Sequence, residues 1–335
     1  MSSAVVERGT GTLASMLAAE LPGRVRENVL LSELSRWRIG GPARAFVEPR
    51  SIHEAAKLMA LMAGRPEPLF IMGDSSNTLF DDAGFTGVIM RIGRNLSAMK
   101  ITGNQAWAQA GIWVPGFARA VGAAGLSGIE HTIGIPGTLG GLIVMNGGSQ
   151  RKGIGLNVRE VLCVDERGNF FTLDHKQCGF SYRTSTLQGR RAVVLEAKLE
   201  LDARNRRDIG SEMLSILRER RKKFPHKSPN CGSTFLSNPS MYEHVGPPGK
   251  AIEDAGLKGV RRGGAQISEL HANFIVNTGG ATSEDVLWLI RHIREEVMRR
   301  TGYAMECEVR HLHASGRLEP AHLTALSRWA ESRDL

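Results

Sequence analysis

Aromatic residues make up only 6% of this 335-residue chain, and just three of them are tyrosines. A single-strand nucleic-acid binder needs more stacking surface than that, and neither a zinc-finger spacing nor an aromatic RNA-binding signature occurs. Cysteine is scarcer still. Cys163, Cys178, Cys231 and Cys307 are widely scattered with no Cys-x-x-Cys pair, so neither a metal site nor a disulfide framework is expected, and reduced thiols in a cytosol fit best. No apolar run is long enough to span a bilayer. The patch from Leu13 to Leu17 is flanked by Glu7 and Glu20 and lacks a basic start, so no signal peptide and no membrane insertion are expected. The most glycine-rich stretch has neither the Lys-Ser/Thr ending of a P-loop nor the Gly-x-Gly-x-x-Gly spacing of a Rossmann turn.

What is present begins with size and charge. A chain of this length with 41% hydrophobic content favours two or three domains. Lys plus Arg number 43 against 34 Asp plus Glu, a formal charge of +9, which favours an anionic partner that need not be a polymer. The central feature is Gly134-Ile135-Pro136-Gly137-Thr138-Leu139-Gly140-Gly141, continued by Leu142-Ile143-Val144-Met145-Asn146-Gly147-Gly148. Its glycines permit close backbone approach, while Leu142 to Met145 anchor the loop. On glycine content alone, a pyrophosphate cradle and a tight structural turn are both compatible with it.

Residues 1 to 30 read as a lead-in with one short helix, from the spacing of Leu13, Met16, Leu17 and Leu21. A strand at Arg44 to Val47, a helix at Ile52 to Met62 and a strand at Leu69 to Met72 follow. The last opens into Gly73-Asp74-Ser75-Ser76-Asn77-Thr78, which suits either a surface turn or amides that meet a phosphate. Strands are expected at Gly87 to Ile92, Ile101 to Ala110, Arg159 to Val164, Phe170 to Leu173 and Ala192 to Leu201. Between the second and third of these, Trp113 to Ala124 reads as a helix with Trp113, Phe117 and Val121 on its core face. The polar segment Asp202 to Asp208 marks a domain boundary. An amphipathic helix then runs to Pro225 with a basic run from Arg218 to Lys223, and Ala251 to Gly256 forms a short one. Strands are expected at Val260 to Gln266 and Asn273 to Asn277, followed by a long helix capped by Ser283. Glu306 to Arg310 alternates as a strand with carboxylates turned from bulk water.

Several motifs occur in a fixed order: Arg38-Ile39-Gly40-Gly41-Pro42-Ala43, the Gly73 to Asn77 loop, Gly134 to Gly148, Tyr182-Arg183 and Asn230 to Phe235. Gly263 to Gln266, His271 to Phe274 and Glu308-Val309-Arg310 complete the series. Together they resemble the UDP-N-acetylenolpyruvoylglucosamine reductase family over about Leu34 to His311, in the compact form that lacks an insertion in the substrate domain.

The resemblance implies an α+β flavoprotein with the FAD-binding vanillyl-alcohol-oxidase-like fold. Two α+β subdomains, at 31–95 and 96–203, would enclose the flavin, a C-terminal α+β substrate domain at 204–314 would close over a nucleotide-sugar, and 315–335 would be a tail. It implies FAD as cofactor, NADPH as reductant and UDP-N-acetylglucosamine enolpyruvate as substrate, a step of peptidoglycan precursor synthesis in the cytoplasm, with no nucleic-acid partner. By the same resemblance Arg183 would pair with the substrate carboxylate, Glu308 would polarise that group, and Ser233 would protonate the carbanion. Gly73, Ser75, Ser76, Asn77, Thr78, Gly134, Ile135, Pro136, Gly137, Thr138, Gly140, Gly141 and Asn146 would hold the flavin. Tyr182, Arg221, Asn230, Gln266, His271 and Asn273 would contact substrate, with Lys222 and Lys223 near its diphosphate. The chain departs from the family at Ser75, where a glycine is usual. A Cβ there is expected to crowd the pyrophosphate, and Asp74 to add unfavourable charge beside it. A non-catalytic binder of the same fold and another flavin oxidoreductase are the alternative readings.

Overall fold

The computed structural model describes residues 12–330. Three larger sheets and the two-stranded pair Leu126–Ser127 with Asp202–Ala203 organise the part of the chain that precedes residue 204, together with its link to the C-terminal part. The first is four-stranded, in the order Val25–Leu30, Pro42–Val47, Phe85–Arg91 and Leu69–Met72. Its opening pair is antiparallel and the other two pairs are parallel. The parallel pairs follow from the helix Ile52–Met62, which returns the chain along one face and buries Ala55, Leu58, Met59 and Met62. Ser51 caps that helix by accepting the amide of Glu54. The second sheet is antiparallel and five-stranded, in the order Phe170–Asp174, Val158–Asp165, Ala192–Glu200, Gln105–Gln109 and Met99–Thr102. Ala45, Val47, Val88 and Met90 of the first sheet share one continuous core with Ala106, Val161, Leu195 and Ala197 of the second.

The third sheet joins the C-terminal part of the chain to this assembly. Strand Arg310–Leu312 lies between Leu318–Pro320, antiparallel to it, and Thr78–Phe80, parallel to it. The C-terminal core gathers around the helix Ser283–Thr301, whose Val286, Leu289, Ile290, Ile293 and Val297 are fully buried. A small sheet of Arg261–Arg262, Ala265–Ile267 and Ile275–Asn277 packs against it. Trp37, fully buried, plugs into this core from the N-terminal half. Its indole donates to the Ile275 carbonyl at 2.7 Å, and Asn277 Nδ2 donates to the Trp37 carbonyl at 2.9 Å.

Several sequence expectations change. Val25–Leu30 is an edge strand rather than part of a lead-in, because pairing with Pro42–Val47 satisfies its backbone. Residues 1–11 of that lead-in lie outside the described part. The loop after Gly137 becomes a short helix, Leu139–Val144. Thr282, not Ser283, caps the long helix, exchanging hydrogen bonds with Asp285 in a capping box. Ser283 instead bonds Asp82. Residues Glu306 to Val309 make a single bridge, Phe235 to Cys307, and bend at Glu308 and Val309 before the strand proper begins at Arg310. The expected tail from 315 supplies the strand Leu318–Pro320 and the helix Ala321–Arg328, whose Ala321 and Ala325 are buried in the C-terminal core. Among the described residues no helix is long and apolar enough to cross a membrane.

Candidate functional site

The sheets meet around one cavity of about 1200 Å³. Its floor is built from two loops. The first, Gly73 to Thr78, leaves the parallel strand Leu69–Met72, and the second, Gly134 to Gly141, leads into the helix Leu139–Val144. The two loops touch so closely that a Cβ on Gly73 would stand 2.2 Å from Thr138 Oγ1, the physical reason for glycine there, while one on Gly134 would meet the Arg220 side chain of the helix Arg206–Lys223. Among the described residues, the amides of Gly73 to Asn77, Gly137, Thr138 and Gly141 donate to no protein acceptor. All of these residues line the cavity. A row of unclaimed N–H donors facing an open volume is the arrangement that binds a phosphate or diphosphate.

Over this floor stand three side chains delivered by distant segments. Arg183 has a left-handed backbone, φ 54°, which turns its guanidinium into the cavity. It donates to the Gly148 carbonyl at 3.2 Å and lies over the Tyr182 ring at 5.5 Å. Arg183 Nε and Glu308 Oε1 form an ion pair at 2.8 Å. The Nε–H is not well aimed at that oxygen and has no hydrogen-bond partner, so the contact is chiefly Coulombic and leaves a donor unused. Burial pushes the Glu308 carboxyl above the ordinary glutamate range, against the opposing pull of Arg183.

Glu308 and Ser233 sit on adjoining backbone. The Glu308 amide donates to the Thr234 carbonyl at 2.9 Å, and Asn77 Nδ2 donates to the Glu308 carbonyl at 3.0 Å. Asn77 therefore ties the phosphate-type floor to the carboxylate. The Ser233 turn is shaped by Asn230, whose Oδ1 accepts the Gly232 amide and whose Nδ2 donates to the carbonyls of Pro225 and Ser228. Cys231, buried, points its thiol at the carbonyls of Ser75 and Thr78. Burial raises that thiol to about 12, so it packs the turn as a neutral group. Ser233 Oγ has no protein partner among the described residues and lines the cavity.

The cavity thus collects Arg183, Ser233, Glu308, Arg221 and Asn230, together with Gly73, Ser75, Ser76, Asn77, Thr78, Gly134, Ile135, Pro136, Gly137, Thr138, Gly140 and Gly141. Five expected residues stand elsewhere, for identifiable reasons. Asn146 spends its amide on the Ser181 carbonyl and the Gly155 amide, closing the loop from behind. Asn273 is buried with its amide bridging both main-chain groups of Phe235. Gln266 bonds the Gly259 carbonyl and Arg261. His271 packs in an aromatic group with Phe224 and Phe274, where burial lowers its basicity. Tyr182 lies beyond the wall, half-exposed, as the ring against which Arg183 rests. Lys222 and Lys223 also miss the cavity lining.

At Ser75 the backbone takes the conformation that glycine favours, the left-handed region, with a φ of 50°. Its hydroxyl points away from the floor, donating to the Leu34 carbonyl and accepting the Arg36 amide, each at 3.3 Å. The Asp74 carboxylate is met by Arg91 at 3.5 Å.

Sequence reading missed four lining residues of consequence. Arg220 shares the face of the helix Arg206–Lys223 that buries Met213 and Ile216, so helical spacing alone would have selected it over Lys222 and Lys223. Its guanidinium lies over Phe224 at 4.8 Å, and both burial and the charge of Arg183 weigh against its protonated form. Arg310 presents a buried Nε with no partner. Trp113, expected in the core, is 46% exposed at the cavity rim, whereas its helix neighbours Phe117 and Val121 are buried. Lys227 lines the cavity too. The site is strongly cationic, with one carboxylate held at its centre.

Comparison with known proteins agrees with this geometry. Residues 224–312 match the family model described as UDP-N-acetylenolpyruvoylglucosamine reductase, C-terminal domain, and residues 43–174 match that of an FAD binding domain. The chain is 51% identical over 320 residues to UDP-N-acetylenolpyruvoylglucosamine reductase 1 of Corynebacterium glutamicum, covering 96% of each chain. It is 38% identical over 288 residues to the reductase of Bacillus licheniformis, covering 86% of this chain and 93% of that one. The crystal structure of the Thermus caldophilus reductase superposes with a TM-score of 0.74 at 30% identity, covering 86% of this chain and 98% of that chain.

Proposed function

The chain belongs to the UDP-N-acetylenolpyruvoylglucosamine reductase family, and from that premise we propose that Arg183, Ser233 and Glu308 carry out its chemistry beside a flavin held by the Gly73 and Gly134 loops. It is an FAD-dependent oxidoreductase of peptidoglycan precursor synthesis that reduces UDP-N-acetylglucosamine enolpyruvate to UDP-N-acetylmuramate. NADPH as the reductant and the cytoplasm as the location are part of the proposal. So is the division into 31–95 and 96–203 as flavin-binding halves and 204–314 as substrate domain, to which the 318–328 segment is added. The four-stranded, five-stranded and C-terminal sheets support that division.

The residues fit the cofactor. A dinucleotide needs unclaimed amides for its diphosphate and a cavity that admits a ring system, and the floor offers both. When bound, the flavin supplies hydride to the β-carbon of the enolpyruvyl ether. The α-carbon then carries an electron pair conjugated into the substrate carboxylate, and the charge that develops there is what the protein must stabilise. Arg183 does so with a fixed cation whose Nε–H is still unused. Glu308, raised by burial, is held closer to its protonated form and can donate to the same carboxylate. Ser233, with its hydroxyl uncommitted, gives a proton to the α-carbon, and the neighbouring guanidinium groups stabilise the alkoxide until solvent reprotonates it. Arg220, Arg221 and Lys227 provide the field that attracts a nucleotide diphosphate.

One observation carries this reading: three side chains from residues 183, 233 and 308 line the same cavity as the unpaired amides of both glycine loops. The test is Ser233→Ala in a two-half-reaction experiment. Flavin content and flavin reduction by NADPH should stay near the parent values. Reoxidation by the enolpyruvyl nucleotide should slow by about 10²-fold or more, the usual contribution of a positioned acid. Reoxidation at the parental rate would remove Ser233 from the mechanism.

A further inference from the structure

Away from the cavity, the sheet that couples the two halves of the molecule contains an unexplained group. His311, on strand Arg310–Leu312, is fully buried, and neither of its ring nitrogens has a hydrogen-bond partner. A buried imidazole left unsatisfied at both nitrogens calls for a bound species. The Asp81 carboxylate, just past strand Thr78–Phe80, has Oδ2 3.6 Å from His311 Nε2. That is too far for a hydrogen bond and close to the separation of two ligands on one ion. His313, two residues on from His311, sets its ring at 66° to it with centroids 4.5 Å apart.

We propose that Asp81, His311 and His313 form a binding site for a divalent transition-metal ion of the zinc class, with water completing its coordination. One ligand atom from each residue lies within 4.8 Å of the others. Two imidazoles and one carboxylate are the donor set that such ions prefer over magnesium or calcium. Behind His313 stands Glu319, with Oε1 3.0 Å from His313 Nε2, itself fixed by a hydrogen bond from Thr324 Oγ1. A carboxylate behind a histidine is the recurrent support of a metal-bound imidazole. The opposing charges are Arg328, 3.8 Å from Asp81 Oδ2, and Arg317, 3.3 Å from His313 Nε2. Both are partly exposed, so each can swing outward as the ion enters.

The position gives the ion a role. Asp81 follows the strand that continues the flavin loop past Asn77, and His311 follows Glu308 and Arg310 on the parallel partner strand. An ion here would pin the register between the cofactor floor and the catalytic carboxylate, without touching either.

The experiment uses the full flavin-loaded chain, stripped with a chelator and titrated with Co²⁺. We expect visible ligand-field bands that saturate at one equivalent and are displaced by Zn²⁺, with Tm raised by a few degrees at saturation. His313→Ala, checked by circular dichroism for a native fold, should weaken Co²⁺ binding at least about tenfold. The exposed-ring control His53→Ala should leave it unchanged. Absence of the bands in the parent, or equal binding by folded His313→Ala, overturns the site. Should His313→Ala fail to fold, Glu319→Gln replaces it, with a drop of roughly tenfold expected and unchanged binding counting against the proposal.

Discussion

The contact between Gly73 and Thr138 fixes the spacing of the two loops that form the cofactor floor, and Gly73→Ala measures how rigid that spacing is. The new Cβ would stand 2.2 Å from Thr138 Oγ1, 3.2 Å from its Cβ and 3.3 Å from its Cγ2. Rotating the threonine about χ1 can turn its Cβ hydrogen into that space, but its Cβ stays in tight contact at 3.2 Å. Its backbone cannot retreat either. It is bridged to Trp113, with Val114 N donating to the Gly137 carbonyl and Leu139 N to the Ile112 carbonyl, each at 3.0 Å. The threonine must leave its rotamer and the loops must part by a few tenths of an ångström, which at the usual cost of overpacking is roughly 1–3 kcal/mol. On the proposal that the amides of both loops converge on one diphosphate, that energy falls mainly on the bound state and weakens FAD by roughly 5- to 150-fold. The assay is titration of deflavinated protein with FAD, followed by visible absorbance. Thr138→Ala removes both γ atoms and leaves only the Cβ contact at 3.2 Å, so the double variant should recover most of the lost affinity. Parental affinity in Gly73→Ala, or a double variant no better than the single, would refute the claim that these loops are held at fixed distance.

Other outcomes test other parts of the structure. Ser75→Gly should alter FAD affinity by less than about twofold, since the hydroxyl points to Leu34 and Arg36 rather than to the cavity; relief of the left-handed φ offsets the two lost hydrogen bonds. A marked gain in affinity would restore the crowding argument. Glu308→Gln should keep the flavin and lower turnover by about 10²-fold or more, read from flavin content and steady-state rates together. Trp37→Ala, which empties a fully buried site and leaves the Ile275 carbonyl without its indole donor, should cost about 3–5 kcal/mol in a denaturant titration. Burial lowers His131 and His322 from 6.5 to about 4. Their folded-state values lie below the unfolded ones, so their contribution to stability is complete above about pH 6.5 and is lost as pH falls toward about 4. His322 adds a mechanism, because its Nδ1 accepts the Cys307 amide at 3.0 Å and cannot do so once protonated. Unfolding midpoints that stay flat across this interval would contradict the assignment.

What could be read from the sequence was whatever depends on local pattern. The helices Ile52–Met62 and Ser283–Thr301 follow from apolar spacing, and the strands Val158–Asp165 and Ala192–Glu200 from their apolar runs. Glycine clusters located both loops of the floor, because close approach leaves a compositional trace. Long-range pairing leaves none. Nothing near residue 25 announces that Val25–Leu30 will edge a sheet, and nothing near 310 announces a parallel partner at 78. Polar residues inside the motifs were the least legible. The family resemblance implied Asn146 and Asn273 as ligand contacts, yet each meets main-chain groups that only the folded chain brings close. The same blindness hid the Asp81, His311 and His313 cluster, in which Asp81 lies 230 positions before His311 although the two meet where the parallel strands Thr78–Phe80 and Arg310–Leu312 end.

The parallel pairing of Thr78–Phe80 with Arg310–Leu312 has a mechanical consequence. Asn77 precedes the first strand and Glu308 precedes the second. The Asn77 carbonyl accepts the Arg310 amide at 3.1 Å while its side chain holds the Glu308 carbonyl. A slip of one residue in this register would turn His311 out of the buried interior and carry Glu308 away from Arg183. The floor and the carboxylate are therefore one rigid unit, and any closing movement over a nucleotide-sugar has to come from elements outside it. The helix Arg206–Lys223 and the 225–233 turn qualify, since Arg220, Arg221, Lys227 and Ser233 reach the cavity from them. On the proposed roles, substrate capture and hydride geometry fall to different parts of the chain: the helix and turn would bring cations and the proton donor to the substrate, while the paired strands keep Glu308 in place.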